Sequence, residues 1–409
     1  MLFKQKKITS KGSLNRAAWR RFSRNYVAMA GLIWIIGSIL VAMAGYLITP
    51  DQSPHANRQM LEVATRKPGF VIDVLRIRHN THPVKQSMVR TMLYGRPIQH
   101  TYIPVQSWHF NQKWLVAESF AGEPGYPGVS RELSLPDIVF AIDTDHQVIW
   151  LTGDSLRFKC LSDGVKTFAI TDLQERIMTD HIQRMRFLFG TDRFGRDMLS
   201  QLIIGMRVSL SVGFIAVFIS LVIGITLGSI GGYFRGWIDD IIVWLINVVW
   251  SIPTLLLAIA ITFALGKGFW QVFVAVGLTM WVEVARVVRG QIISVREKEY
   301  VEAARALGVK HSRIIVRHIL PNIMGAVVVI SAANFASAIL IEAGLSFLGI
   351  GVQPPMPSWG TMIRDHYGFI ILDKGFLAIL PGTMIMLMVL AFMVVGNGLR
   401  EALDKTARS

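Results

Sequence analysis

The chain has 409 residues, of which 52% are apolar or aromatic and only 17% charged, with 35 glycines besides. Apolar residues gathered in long runs between charged blocks exclude an ordinary soluble domain and exclude disorder over most of the length. The net charge of +15 must sit outside lipid, and the single cysteine, Cys160, excludes an internal disulfide and a thiolate metal site.

Residues 1–26 form a basic amino-terminal segment, with Lys4, Lys6, Lys7, Lys11, Arg16, Arg20, Arg21 and Arg24 and no acid. Such a cluster beside a membrane span sets orientation, so we expect it in the cytoplasm and expect no nucleic-acid partner. Arg16, Arg20 and Arg24 share one helical stripe opposite Leu14, Ala18 and Phe22. The spacing fits either a short helix on the inner membrane surface or a solvated tether. The first span covers residues 27–48, an uncharged run long enough for a hydrocarbon core of about 30 Å. Ala42-Met43-Ala44 has the form of a signal-peptidase site, but the apolar run continues past it to Ile48.

From Thr49 to Arg207 the composition is that of a soluble domain. Phe70–Arg78, Thr101–Phe110, Ile138–Leu151 and Val165–Thr171 are rich in β-branched and aromatic residues, which predicts strands, with a helix expected from Asp172 to about Phe187. Residues 49–187 therefore read as an inserted β-rich extracytoplasmic domain. Its His79, His82, His100, His109 and His146 are scattered, and with no HExxH or paired spacing no metal site is expected.

Residues 188–409 hold five further apolar runs, Val208–Tyr233, Ile241–Leu265, Phe269–Ala285, Ile323 to about Ala343, and Phe376–Gly396. The expected fold is an all-α polytopic membrane protein with six transmembrane helices plus the inserted domain. Six crossings return the carboxy tail, with Arg400, Lys405 and Arg408, to the cytoplasm. They also place Arg286–Asn322 there, with Arg286, Arg289, Arg296, Lys298, Arg305, Lys310, Arg313 and Arg317. Ser220, Gly224, Gly228 and Gly232 recur every four residues and make a face open to close helix packing. Pro253 should kink the third span, which suits either a gating pathway or a static bundle. Glu283 and Glu342 interrupt apolar runs: Glu283 is expected to anchor at the interface with Arg286, and Glu342 either to face a translocation route or to serve packing.

Within residues 294–322, Glu299–Leu307 consists of helix formers ended by Gly308, and Ser312 can cap a second helix that leaves at Pro321. This exposed hairpin suits docking in a partner groove, with Ala303 and Ala304 permitting close approach and Glu302 offering a carboxylate.

Glu302-Ala303-Ala304, Gly308 and Leu320-Pro321 resemble, in residue type and spacing, the EAA loop of inner-membrane permease subunits of bacterial ABC importers. His318 stands where that family often has isoleucine. Phe189-Gly-Thr-Asp-Arg-Phe-Gly-Arg-Asp197, Asn15–Asn25, Glu342-Ala-Gly-Leu-Ser-Phe-Leu-Gly349 and Pro357-Ser-Trp-Gly360 are similar to the C-type permease of dipeptide, oligopeptide and nickel importers. Most of Thr49–Phe187 has no counterpart in that resemblance. It implies a bacterial inner-membrane subunit that pairs with a second permease, two ATPase subunits or domains and an extracytoplasmic binding protein. ATP and Mg would be used by the ATPase, with no cofactor on this chain. It further implies that Glu302, Ala303, Ala304, Gly308, Leu320 and Pro321 couple ATP hydrolysis to transport of peptide, with nickel or another small solute as the alternative. The only Gly-Lys pair, Gly266-Lys267, lacks the pattern of a phosphate-binding loop. A membrane-anchored enzyme or receptor acting through the outer segment is the rival reading, but that segment shows no G-x-S-x-G or HExxH pattern. A protein-recognition role for it, or that of a spacer, is expected instead.

Overall fold

The computed structural model describes residues 18–82, 86–123, 125–143, 150–266 and 268–403. The basic residues up to Arg16, His146, Lys267, Lys405 and Arg408 lie outside them. The helices in chain order are α1 (Tyr26–Ala44), α2 (Met88–Tyr94), α3 (Leu135–Val139), α4 (Ile170–Arg176), α5 (Met198–Phe234), α6 (Trp237–Trp250) and α7 (Thr254–Leu265). They continue as α8 (Phe269–Arg296), α9 (Glu299–Ala306), α10 (His311–Ile314), α11 (Leu320–Phe347), α12 (Trp359–His366) and α13 (Phe376–Leu403). The strands are β1 (Phe70–Arg78), β2 (His100–Asn111), β3 (Trp114–Ser119), β4 (Ser130–Ser134), β5 (Trp150–Thr152), β6 (Ser155–Cys160), β7 (Gly164–Ala169) and β8 (Ile182–Phe187).

Two compact units emerge. The helical one takes the described residues up to Ala42, Gly205–Asp365 and those from Ala378 on, and the strand-bearing one takes Met43–Ile204 and His366–Leu377. Among the described residues, five helices are long and apolar enough to cross a membrane: Tyr26–Leu47, Met198–Phe234, Phe269–Arg296, His311–Phe347 and Phe376–Leu403. A sixth crossing exists if α6 and α7 count together, and these are bent by 92° where a kinked third span was expected. Pro253 has no amide hydrogen and disfavours helical geometry at Ile252, so it ends α6 and starts α7.

The face of small residues on α5 lies against α8. A β-carbon built on Gly224 would come 2.5 Å from Cβ of Val284, one on Gly228 2.5 Å from the Ala285 carbonyl, and one on Gly232 2.8 Å from the Arg289 carbonyl. Asp239 of α6 clamps the same helix, accepting from Arg289 Nε and Nη2 at 2.6 and 2.7 Å. Gly228→Leu should therefore force α5 and α8 apart at a cost of about 1–3 kcal/mol or more. It should show as a lowered unfolding temperature of the detergent-purified chain, while Gly290→Ala, where a β-carbon meets nothing within 4 Å, should leave that temperature unchanged.

In the strand-bearing unit, β1 spans the run expected from its alternation, and the antiparallel sheet runs β4-β3-β2-β1-β8, with a second sheet β5-β6-β7. Leu75, Ile103, Leu115, Leu156, Phe158 and Leu173 are among the fully or nearly fully buried side chains of one core that joins both sheets to α3 and α4. Two sequence expectations change. Ile138–Leu151 is not one strand over its described part: Pro136 in the first turn starts the short α3, Ile142 makes an isolated antiparallel bridge to Cys160, and Trp150 and Leu151 belong to β5, while residues 144–149 lie outside the described residues. Asp172–Phe187 is not one helix, because α4 passes through a π-turn at Ile177–His181 into β8, which takes the free edge of β1.

The strands are spliced into a separate hydrogen-bonded frame. Asp192 accepts from the amides of Phe194 and Arg196 and from Arg196 Nε, at 2.8, 2.9 and 2.6 Å. Arg196 then donates to Asn57 at 3.2 Å, the Thr191 hydroxyl donates to the Val63 carbonyl at 2.5 Å, and the Ser200 hydroxyl accepts from the Asp51 amide at 3.0 Å. Gly195, at φ +72°, lies against the Met60 carbonyl where a side chain would collide. Residues 51–66 are thus stitched to residues 191–201. The strands leave and rejoin this frame at one place: Phe70 pairs with Phe187, and the Gly69 amide donates to the Phe187 carbonyl at 2.8 Å.

Candidate functional site

Helix α9 ends as its sequence predicts. Gly308 takes φ +72°, its amide donates to the Arg305 carbonyl at 3.0 Å, and the Val309 amide donates to the Ala304 carbonyl at 3.2 Å. The second helix differs from expectation. Ser312 does not cap it; Lys310 precedes its first turn with no side-chain cap, and α10 runs through a π-turn at Ile315–Ile319 into α11, so that Leu320 and Pro321 open the span. The hairpin has its own core, in which Val301, Ala304, Ile314 and Ile319 pack with Tyr233 and Ile292. Tyr233 also bonds His311 Nδ1 through its hydroxyl at 2.8 Å and accepts from Arg296 through its carbonyl at 2.6 Å.

This core decides which face is free. Glu302 and Ala303 are exposed, whereas Ala304 is 7% exposed and belongs to the hairpin's interior, a correction to its placement on the docking face. Leu307, which the sequence reading did not single out, is 82% exposed at the turn. An apolar side chain next to the helix-ending glycine was the available signal.

In the membrane unit, a cleft of about 300 Å³ opens at the α6–α7 corner, lined among others by Trp250, Thr254, Thr279, Glu283, Ser337 and Ile341. Glu283 lies mid-helix in α8, which continues to Arg296, and is exposed. It does not pair with Arg286, whose guanidinium lies 3.7 Å from the centre of the Trp250 ring. Among the described residues no cation forms an ion pair with Glu283. Among the described residues it is the one carboxylate lining the cleft.

Glu342 is different. It is fully buried, accepting from the Ser209 hydroxyl at 3.1 Å and from the Ser346 hydroxyl at 2.8 Å, while Ser358 approaches Ser346 at 3.4 Å. Of its two expected roles, this placement supports packing. It ties α5 to α11 and does not face an open route.

A family model described as "Binding-protein-dependent transport system inner membrane component" matches residues 224–409, and one described as "N-terminal TM domain of oligopeptide transport permease C" matches residues 13–62. The dipeptide transport system permease protein DppC of Alkalihalophilus pseudofirmus is 44% identical over 221 residues, covering 54% of this chain and 72% of that protein. The glutathione transport system permease protein GsiD of Pectobacterium atrosepticum is 40% identical over 220 residues, covering 54% and 73%. Among solved structures, a chain of the inward-facing MetNI methionine ABC transporter is matched over 51% of this chain and 98% of its own length, with a TM-score of 0.43 and 17% identity.

Proposed function

Because the chain belongs to the family of binding-protein-dependent inner-membrane permease subunits of ABC importers, we propose that it forms, with a second permease, the path by which short peptides cross the inner membrane. It is a transport subunit and not an enzyme. ATP is hydrolysed by two partner ATPase subunits or domains, and substrate arrives on an extracytoplasmic binding protein. Both termini lie in the cytoplasm, a reading supported by the even number of crossings when α6 and α7 form one span.

The observation that carries this function is the hairpin's outward face. Glu302, Ala303 and Leu307 are presented by a helix whose opposite side is fixed to α5 and α8, so a movement imposed on the hairpin is transmitted into the membrane helices. Peptide is preferred among solutes because the relatives are named for dipeptide and glutathione transport. Glu283 in the corner cleft fits the same substrate, since a carboxylate in a partly desolvated site attracts an ammonium group.

Uptake by the complex reconstituted with its ATPases and binding protein tests the proposal. Labelled dialanine should be transported and nickel ion should not. Glu283→Gln should raise the half-saturation concentration for dialanine several-fold while leaving that for its N-acetyl derivative little changed. Uptake of nickel without uptake of dipeptide would overturn the substrate class, and an unaltered half-saturation for dialanine would remove Glu283 from the path.

A further inference from the structure

The strand-bearing unit contains a cavity of about 400 Å³ that the transport reading does not use. Its wall is built from β1, β2 and the frame. Cross-strand pairing sets Arg76 opposite Tyr102 and Arg78 opposite His100, so Arg76 and the Tyr102 ring share a face. Arg58, from the frame, lays its guanidinium over the same ring at 4.0 Å, with that of Arg76 6.0 Å from it. Arg96 lines the cavity from the turn after α2, its amide donating to the Gln52 carbonyl at 2.7 Å.

Three features mark this as a place for negative charge. Among the described residues the Nε atoms of Arg58 and Arg76, like that of Arg66 elsewhere in the unit, are buried without a hydrogen-bond partner, whereas Asp192 and Asp239 satisfy the Nε of Arg196 and Arg289. Among the described residues no carboxylate lines the cavity. Asp51, outside the lining, reaches Arg58 at 3.4 Å but also accepts from the amides of Ser53 and Arg58 at 2.9 Å each, so its charge is shared. Two cations share one ring and each holds a buried donor, so an anion in the cavity would meet both charge and hydrogen bonding. His100 adds no cation at neutral pH, because burial and then the neighbouring Arg76 push its pKa down to about 4.

We propose that this cavity binds an oxyanion, a carboxylate or a phosphate, carried by a ligand no larger than a short peptide. Arginine forks match planar oxyanions in bidentate geometry, which a lysine cannot reproduce. The volume suits a small molecule and not a protein segment. The site is independent of the translocation reading, since it rests on residues of the strand-bearing unit alone.

Calorimetric titration of the detergent-purified full chain, at low ionic strength in a buffer free of carboxylate and phosphate, tests it with three probes: dialanine, dialanine amide and inorganic phosphate. Binding of dialanine without its amide identifies a carboxylate ligand, and binding of phosphate identifies a phosphate ligand. In either case Arg76→Ala should weaken the dissociation constant at least tenfold, and Arg76→Lys should restore only part of the loss. Should Arg76→Ala fail to fold, Arg96→Ala at the exposed rim should still weaken binding several-fold. Failure of all three probes to bind below 10 mM (about 2.7 kcal/mol in favour of association), or binding that the arginine variants leave unaltered, would overturn the proposal.

Discussion

Glu302→Lys and Leu307→Asp should each lower ATP-driven uptake by at least tenfold while the subunit remains inserted and folded. Both side chains point away from the hairpin's own core, so neither change disturbs Val301, Ile314 or Tyr233. Covering a leucine that is 82% exposed is worth about 1.5–3 kcal/mol, and each 1.4 kcal/mol is a factor of ten in association. Aspartate at that position both loses this gain and brings an unpaired charge into the interface. Ala304→Trp should behave differently. It overfills the hairpin interior at a cost of about 1–3 kcal/mol, so the folded hairpin itself should be lost, visible as reduced protein yield and increased proteolysis between α9 and α11. Wild-type uptake by both outward variants, measured at equal subunit content, would show that the hairpin does not dock through this face.

Replacing residues 70–187 by a short Gly-Ser linker should leave a subunit that inserts and co-purifies with its ATPase, whereas removing residues 53–180 should not. The first cut falls where β1 and β8 already lie side by side, so joining the ends closes a short gap, and loop-closure entropy changes little. The second removes Asn57, Met60, Val63 and Thr65, whose hydrogen bonds reach Arg196, Phe194, Thr191 and Asp192, and leaves Asp192 and Arg196 the bonds they make within residues 192–196. At about 1 kcal/mol for each hydrogen bond, and more for charged ones, the frame would lose several kcal/mol. The family match through residue 62 supports the same boundary. We further expect the shorter deletion to raise the concentration of binding protein needed for half-maximal uptake, if the strands recognise it, and to leave that concentration unchanged if they are a spacer. Equal assembly of both deletions would show that residues 51–66 are dispensable.

What the sequence made legible followed from period and composition. β1 was read to the residue because its apolar and β-branched residues face a core on one side, and α9 because Gly308 ends it. What was missed depended on partners distant in the chain. Ile182–Phe187 carries apolar residues that suit a helix as well as a strand, and only the free edge of β1 made it a strand. Ala303 and Ala304 are equally small, and which one faces out was decided by the position of Ile314 and Tyr233. Glu283 lacks the ion pair expected of it because Arg286 stacks on Trp250, a residue distant in the chain. A proline within an apolar run announces a disturbance, yet the angle it leaves depends on what packs around it.

That corner has a bearing on how many copies of the subunit a cell can keep. Helices α6 and α7, of 14 and 12 residues, are each shorter than the about 20 needed to cross alone, so the break between them lies within the bilayer when they form one span. No side chain caps the start of α7, and its first amides have no acceptor within the helix. Lipid offers none, so water or a neighbouring subunit must. A solitary copy would therefore hold unmet amides in lipid, a cost that a companion subunit at the corner removes. Synthesis matched to that of a companion, and prompt removal of any surplus by membrane proteases, are the expected economy of such a chain.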